Sequence, residues 1–168
     1  MKTIIYCTRY ASPIGDLLLE SDGEALTGLD FDPGFDNPFD CCSDKLPVFD
    51  QTRQWLDTYF AGKAPDFTPP IRFSGTPFRE EVWNILLSIP FGKTLTYGEI
   101  AAQIAQKRGI RKMSAQAVGS AVSSNPIALI IPCHRVVGSG GALVGYAGGI
   151  DRKAWLLERE RFASPGSR

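Results

Sequence analysis

Histidine is nearly absent: one stands in 168 residues, at position 134. No run of about 20 apolar residues exists to span a bilayer. The first residues, Met1-Lys2-Thr3-Ile4-Ile5-Tyr6, meet polar Thr8-Arg9 too early for a secretory signal, so a cytoplasmic location is expected, with no membrane association. Four cysteines, at 7, 41, 42 and 133, lack the spacing of a disulfide framework and read as free thiols. Internal repeats and low-complexity tracts are missing, and the formal net charge is zero.

That neutrality hides a division. Residues 1–70 carry five Lys/Arg against twelve Asp/Glu, a net −7, while the remainder carries thirteen against six, a net +7. The basic half suits a polyanionic partner; two solvated surfaces would give the same count. Two domains are expected, 1–70 and 71–168, separated at Pro65, Pro69 and Pro70.

In the first, alternating segments at Thr3–Tyr10, Asp16–Glu20 and Leu26–Phe31 predict a small antiparallel sheet, broken at Ser12-Pro13-Ile14-Gly15 and Asp22-Gly23. Residues Pro33–Pro47 predict a loop. Asp50 is the expected cap of a helix bearing Trp55, Leu56, Tyr59 and Phe60 and ending at Gly62.

The second half is helical. Thr76-Pro77 opens a helix with Phe78, Val82, Ile85, Leu86 and Ile89 on its core face, stopped by Pro90 and Gly92. Thr96-Tyr97-Gly98-Glu99 spells a capping box for a helix with Ile100, Ala101, Ile104 and Ala105 inward. After the basic stretch Lys107–Lys112, Ser114 caps a third helix with Ala115, Val118, Ala121 and Val122 inward. Two short helices joined this way predict a helix-turn-helix. Gly119 inside the second costs about 1 kcal/mol relative to alanine, which close approach to DNA would offset; tight internal packing is the alternative.

The histidine sits beside a cysteine, in Ile130-Ile131-Pro132-Cys133-His134-Arg135-Val136-Val137, after the turn signal Asn125-Pro126. A thiol needs a nearby base to become a strong nucleophile at neutral pH. Neighbours on an extended chain point apart, so either the chain turns sharply here or a water bridges the two. An inert buried cysteine beside a structural histidine is the other reading. A C-terminal helix capped by Asp151 and running to about Phe162 places Glu160 beside Leu156 and Leu157, where it needs a partner: His134, Arg135 or Arg152. Glycines at 138, 140, 141, 145, 148 and 149 surround Tyr146 and suit a planar ligand.

These motifs, with Val82-Trp83, Ile89-Pro90-Phe91-Gly92-Lys93-Thr94, Tyr97-Gly98-Glu99-Ile100-Ala101, Gly145-Tyr146-Ala147-Gly148-Gly149 and Lys153-Ala154-Trp155-Leu156-Leu157, resemble the O6-alkylguanine-DNA alkyltransferases, or methylated-DNA-protein-cysteine methyltransferases, across Phe78–Glu160. The resemblance implies an α+β protein: an N-terminal ribonuclease-H-like sheet with a helix, and a mostly helical, winged helix-turn-helix-like domain carrying the cysteine. It implies a monomer without a cofactor that binds the minor groove of double-stranded DNA. The alkylated guanine, or an O4-alkylthymine, is flipped out and its alkyl group passes irreversibly to Cys133, so the protein is a suicide transferase acting once.

By the same resemblance, His134 acts through a water as base, Glu160 orients it, Asn125 holds the turn, and Tyr97 crowds the target phosphate and protonates the leaving guanine. Tyr146 and Ala147 would line the base pocket, with Val136 accepting from the guanine amino group. Ser114, Ala115, Gln116, Gly119 and Ser123 would face DNA. Gln116 stands where relatives often carry an arginine finger. Some relatives bind zinc through cysteine and histidine; with His134 committed, no zinc is expected. A cysteine hydrolase and a helix-turn-helix damage sensor are the alternative functions.

Overall fold

The computed structural model describes residues 5–31 and 45–163. Most of the loop expected at Pro33–Pro47 lies outside them, as do Cys41 and Cys42. The described chain divides into two units, residues up to Phe73 with 126–128, and 74–125 with 129 onward.

In the first unit, β1 (Tyr6–Ser12), β2 (Gly15–Ser21) and β3 (Leu26–Phe31) form an antiparallel meander, with Leu17 opposite both Tyr10 and Phe31, and Leu19 opposite Leu29. Alternation puts Leu17 and Leu19 completely inside. Gly15 at φ 119° and Gly23 at φ 107° make the turns, and Asp22 Oδ1 accepts from the amides of Glu24 and Ala25 at 3.0 Å. The free edge of β3 is covered twice: Leu26 N donates to Pro70 O at 2.7 Å and Leu29 N to Pro126 O at 3.1 Å. The proline-rich run read as a linker is thus tied to the sheet at Pro70–Arg72.

Helix α1 spans Pro47–Phe60 and buries Phe49, Leu56 and Tyr59 completely. Asp50 does not cap it. Proline, with φ pre-set and no amide to satisfy, starts the helix at Pro47, leaving Leu46 at the cap and Asp50 in the first turn.

The second unit holds α2 (Pro77–Leu87), α3 (Tyr97–Arg108), α4 (Ala115–Ser123) and α5 (Ile150–Ala163). Two short parallel strands join them, β4 (Leu95–Thr96) with β5 (Val136–Val137). The core face of α2 is Val82, Trp83 and Leu86, while Phe78 and Ile85 are half-buried. Trp83 fixes α2 to α4, its Nε1 donating to Ala121 O at 2.9 Å. The capping box of α3 forms in both directions: Thr96 Oγ1 accepts from Glu99 N at 3.0 Å, and Glu99 Oε2 from Thr96 N at 3.2 Å. Gly109, left-handed at φ 66°, ends α3, and Ser114 caps α4 by accepting from Ala117 N at 3.1 Å.

Helix α4 turns Val118, Ala121 and Val122 inward, but Ala115 is exposed rather than internal, because only one side of its first turn meets the core. Asp151 lies in the first turn of α5 rather than capping it; the helix begins one residue earlier, and Lys153 N already donates to Gly149 O. No helix among the described residues is long and apolar enough to cross a membrane.

Because Thr96 Oγ1 caps the helix that carries Tyr97 by accepting from Glu99 N, Thr96→Ala is expected to lower the unfolding free energy by about 1 kcal/mol. Urea denaturation measures it; an unchanged midpoint contradicts the capping account.

Candidate active site around Cys133

The cysteine is presented by a sequence of tight turns. Leu129 carries left-handed backbone at φ 68°, costing a leucine about 1 kcal/mol, and the buried run continues to Ile131. Pro132 then adopts φ −81° and ψ 67°, with Cys133 N donating to Ile131 O at 2.8 Å. That is an inverse γ-turn centred on proline. Asn125 Nδ2 donates to the same carbonyl at 2.7 Å, bracing the turn from the end of α4. Cys133–Arg135 follow as one turn of 3-10 helix, so the chain does turn sharply at the sulfur. Cys133, His134 and Arg135 are all buried.

Glu160 of α5 joins the side chains of this turn. Its Oε2 lies 2.5 Å from His134 Nε2; its Oε1 accepts from Arg135 Nε at 2.8 Å and from Gly92 N at 2.9 Å. Arg135 Nη1 donates to Ile89 O at 2.7 Å, and its guanidinium lies 5.8 Å from the Phe91 ring centroid. Of the three partners open to Glu160, His134 and Arg135 are both engaged, whereas Arg152 donates to Gly148 O.

Burial favours a neutral Glu160, but the hydrogen bond and charge of His134, with Arg135 and the Gly92 amide, outweigh it and hold the carboxyl pKa down at about 2. Burial lowers the proton affinity of His134; Glu160 opposes that, and the charges of Arg135 and Lys153 add to it, leaving it below the ordinary 6.5. A neutral imidazole held through Nε2 has Nδ1 as its base.

A groove of about 780 Å³ is bounded by Tyr97, by α4 and by residues 144–147, and Tyr97 is near enough to Cys133 to feel its charge. Tyr97 Oη donates to Val144 O at 3.1 Å or Gly145 O at 3.3 Å, and Lys153 Nζ reaches the same carbonyls at 2.9 and 3.3 Å. Lys153 is fully buried, 5.9 Å from the Tyr97 ring centroid. Burial and the charge of Cys133 both raise the Tyr97 pKa, so its phenol keeps its proton. Gly145, at φ 59°, could carry no side chain without strain, and its Cβ would stand 3.5 Å from Tyr97 Oη. At Gly119 an added Cβ would meet only the Tyr97 ring at 3.8 Å, an ordinary contact, so internal packing does not demand glycine there.

Residues 5–73 match the model of the ribonuclease-like domain of 6-O-methylguanine DNA methyltransferase, and residues 77–162 match the model of its DNA-binding domain. The chain belongs to this family. Similar curated relatives are named methylated-DNA–protein-cysteine methyltransferase: one from Haemophilus influenzae is 41% identical, over 95% of this chain and 88% of that protein. One from Mycobacterium leprae is 42% identical over 94% and 93%. The Mycobacterium tuberculosis O6-methylguanine methyltransferase structure superposes with a TM-score of 0.81 at 40% identity, covering 98% of this chain and 97% of that one. The Mycobacterium tuberculosis OGT structure in complex with DNA gives 0.80 at 40%, covering 96% of each. The α+β architecture expected from the motifs is the family's.

Of the family's expected site residues, the groove gathers Tyr97, Ala115, Gln116, Gly119, Ser123, Tyr146 and Ala147. The buried 3-10 turn carries Cys133 and His134, with Glu160 against the imidazole and Asn125 bracing the turn. Ser114 is engaged as the α4 cap, and Val136 is fully buried in β5. Lys153 went unremarked as a site residue in the sequence. Its spacing of three before Leu156 and seven before Glu160 puts it on the buried stripe of α5, where a lysine is rare unless its ammonium is paired. Among the described residues no group of three or more His, Cys, Asp or Glu side chains is placed to hold a metal ion.

At both His134 and Glu160 the unfolded chain binds a proton at higher pH than the folded one, so stability falls as pH falls. The His134 share starts to be lost below about 6.5, and the Glu160 share between 4.5 and about 2. With one histidine in the chain, a decline in the urea midpoint from pH 7 to 5 is assigned to His134, and His134→Gln is expected to abolish it. A wild-type midpoint that stays level over that range contradicts the neutral, buried imidazole.

Proposed function

We propose that this chain repairs O6-alkylguanine in double-stranded DNA by moving the alkyl group irreversibly to the sulfur of Cys133. The observation carrying the reading is the buried Cys133–His134–Glu160 arrangement beside a groove edged by a helix-turn-helix. A neutral His134 takes the thiol proton at Nδ1 through a water. The thiolate attacks the alkyl carbon; the S–C bond forms as the C–O6 bond breaks, and the electron pair stays with the guanine. Tyr97, kept protonated by its surroundings, supplies the guanine with a proton. A thioether is no substrate for this base, so each chain reacts once.

A sulfur this buried cannot reach an atom stacked inside a duplex, which supports base flipping. Minor-groove docking through α4 is supported by its exposed small residues Ala115, Ser120 and Ser123, by Gly119, and by the basic stretch before it. Tyr146 and Ala147 line the receiving pocket, with the Val136 carbonyl taking the guanine amino group. Gln116 fills the gap left by the flipped base by hydrogen bonding rather than with a fixed charge. The chain works as a monomer in the cytoplasm on chromosomal DNA and accepts O4-alkylthymine by the same route. Residues 1–70 serve as scaffold and 71–168 as the DNA-binding and transfer domain.

Duplex DNA carrying one O6-methylguanine with a tritiated methyl is the direct assay. Label is expected to pass to protein and saturate at about one methyl per chain, with none on Cys133→Ser. Continuous release of label into solution, or transfer to Cys133→Ser, contradicts the reading.

A further inference from the structure

The Glu160 carboxylate has two oxygens and two charged claimants, on consecutive residues of one turn. Oε2 goes to His134 and Oε1 to Arg135, with the Gly92 amide completing Oε1. All three side chains are sequestered, at 0%, 1% and 9% exposure for His134, Glu160 and Arg135. Arg135 is fixed in turn by the Ile89 carbonyl and the Phe91 ring, both in the segment after α2.

A buried carboxylate facing only an imidazole would favour the imidazolium, because one negative charge without a counterion attracts the nearest proton. An imidazolium cannot take a proton from a thiol. Here the guanidinium already balances that charge. We propose that Arg135 is a positioning residue for alkyl transfer: by pairing with Glu160 on the oxygen that His134 does not use, it keeps the imidazole neutral and oriented as the base for Cys133. The inference deepens the proposed function and rests on it.

Among the described residues, the charges that act on the ring come from Glu160, Arg135 and Lys153. Glu160 and Lys153 come from α5 and Arg135 from the turn itself, while the segment after α2 brings the Gly92 amide to the carboxylate and the Ile89 carbonyl to Arg135. Burial of the ring disfavours the imidazolium most; Glu160 draws a proton toward His134, and Arg135 and Lys153 repel it. Of these two cations, Arg135 is the one hydrogen-bonded to Glu160, at 2.8 Å. Arginine suits the place because its planar fork reaches the carboxylate through Nε and a carbonyl through Nη1 at once, which a lysine ammonium cannot do with the same geometry.

His134 is the chain's one histidine, so its ring signals in nitrogen-15 NMR are unambiguous. In the wild type the ring is expected neutral at pH 7, with its proton on Nε2. In Arg135→Gln the titration midpoint is expected to rise by about one pH unit or more, roughly a tenfold gain in proton affinity. The low-pH limb of the single-turnover methyl-transfer rate moves with it. Arg135→Lys, which retains the charge, restores most of the midpoint. A role confined to stability would reduce the folded fraction while leaving the midpoint of the folded protein unmoved. An unmoved midpoint in Arg135→Gln overturns the proposal. So does an imidazolium at pH 7 in the wild type, which decides the matter even if the glutamine variant does not fold. Because the titration needs no DNA, its outcome stands apart from whether the chain transfers methyl groups.

Discussion

A carboxylate with 1% of its side chain exposed survives as an ion only if every lone pair that matters is met, and Glu160 is met from three directions. Breaking such a pair by removing one member strands a charge and costs about 3–5 kcal/mol. The junction therefore ties together the 3-10 turn that bears Cys133, the glycine turn after α2, and α5. The same carboxylate holds the ring of His134, so the interaction that closes this unit also orients the imidazole.

Presentation of the sulfur is a separate backbone problem. Pro132 sits in an inverse γ-turn whose acceptor, Ile131 O, is shared with Asn125, and the preceding Leu129 is held in left-handed backbone. Packing around the fully buried Leu129 and Ile131 sustains these conformations. The groove is built on the opposite logic. Its helix exposes small side chains, its loop relies on glycine, and Tyr97 and Lys153 hold the backbone carbonyls of 144 and 145.

Much of this was legible in the residues. The capping box at Thr96–Glu99, the Pro77 start of α2 and the Ser114 cap are local chemistry, and local chemistry is what a sequence states most directly. The Cys133-His134 pair and the family motifs marked the centre, and the α5 stripe pointed to Glu160. What escaped depends on distant partners. Asp50 and Asp151 resemble caps, but the helices start upstream of them, at Pro47 and Ile150. The tie between Leu26 and Pro70 cannot be seen in a proline-rich run. Lys153 was visible within a motif, yet its burial against the carbonyls of 144 and 145 needs the folded loop.

The central claim is that the Glu160 carboxylate, through His134, activates Cys133. The measurement that meets it most directly is the time course of intact-protein mass, with peptide mapping, for wild type and Glu160→Gln mixed with duplex DNA containing O6-methylguanine, each protein shown to be folded by circular dichroism. The account predicts one methyl on Cys133 in both, acquired at least about 100-fold more slowly by the variant. Equal rates, or a methyl on another residue, would contradict it.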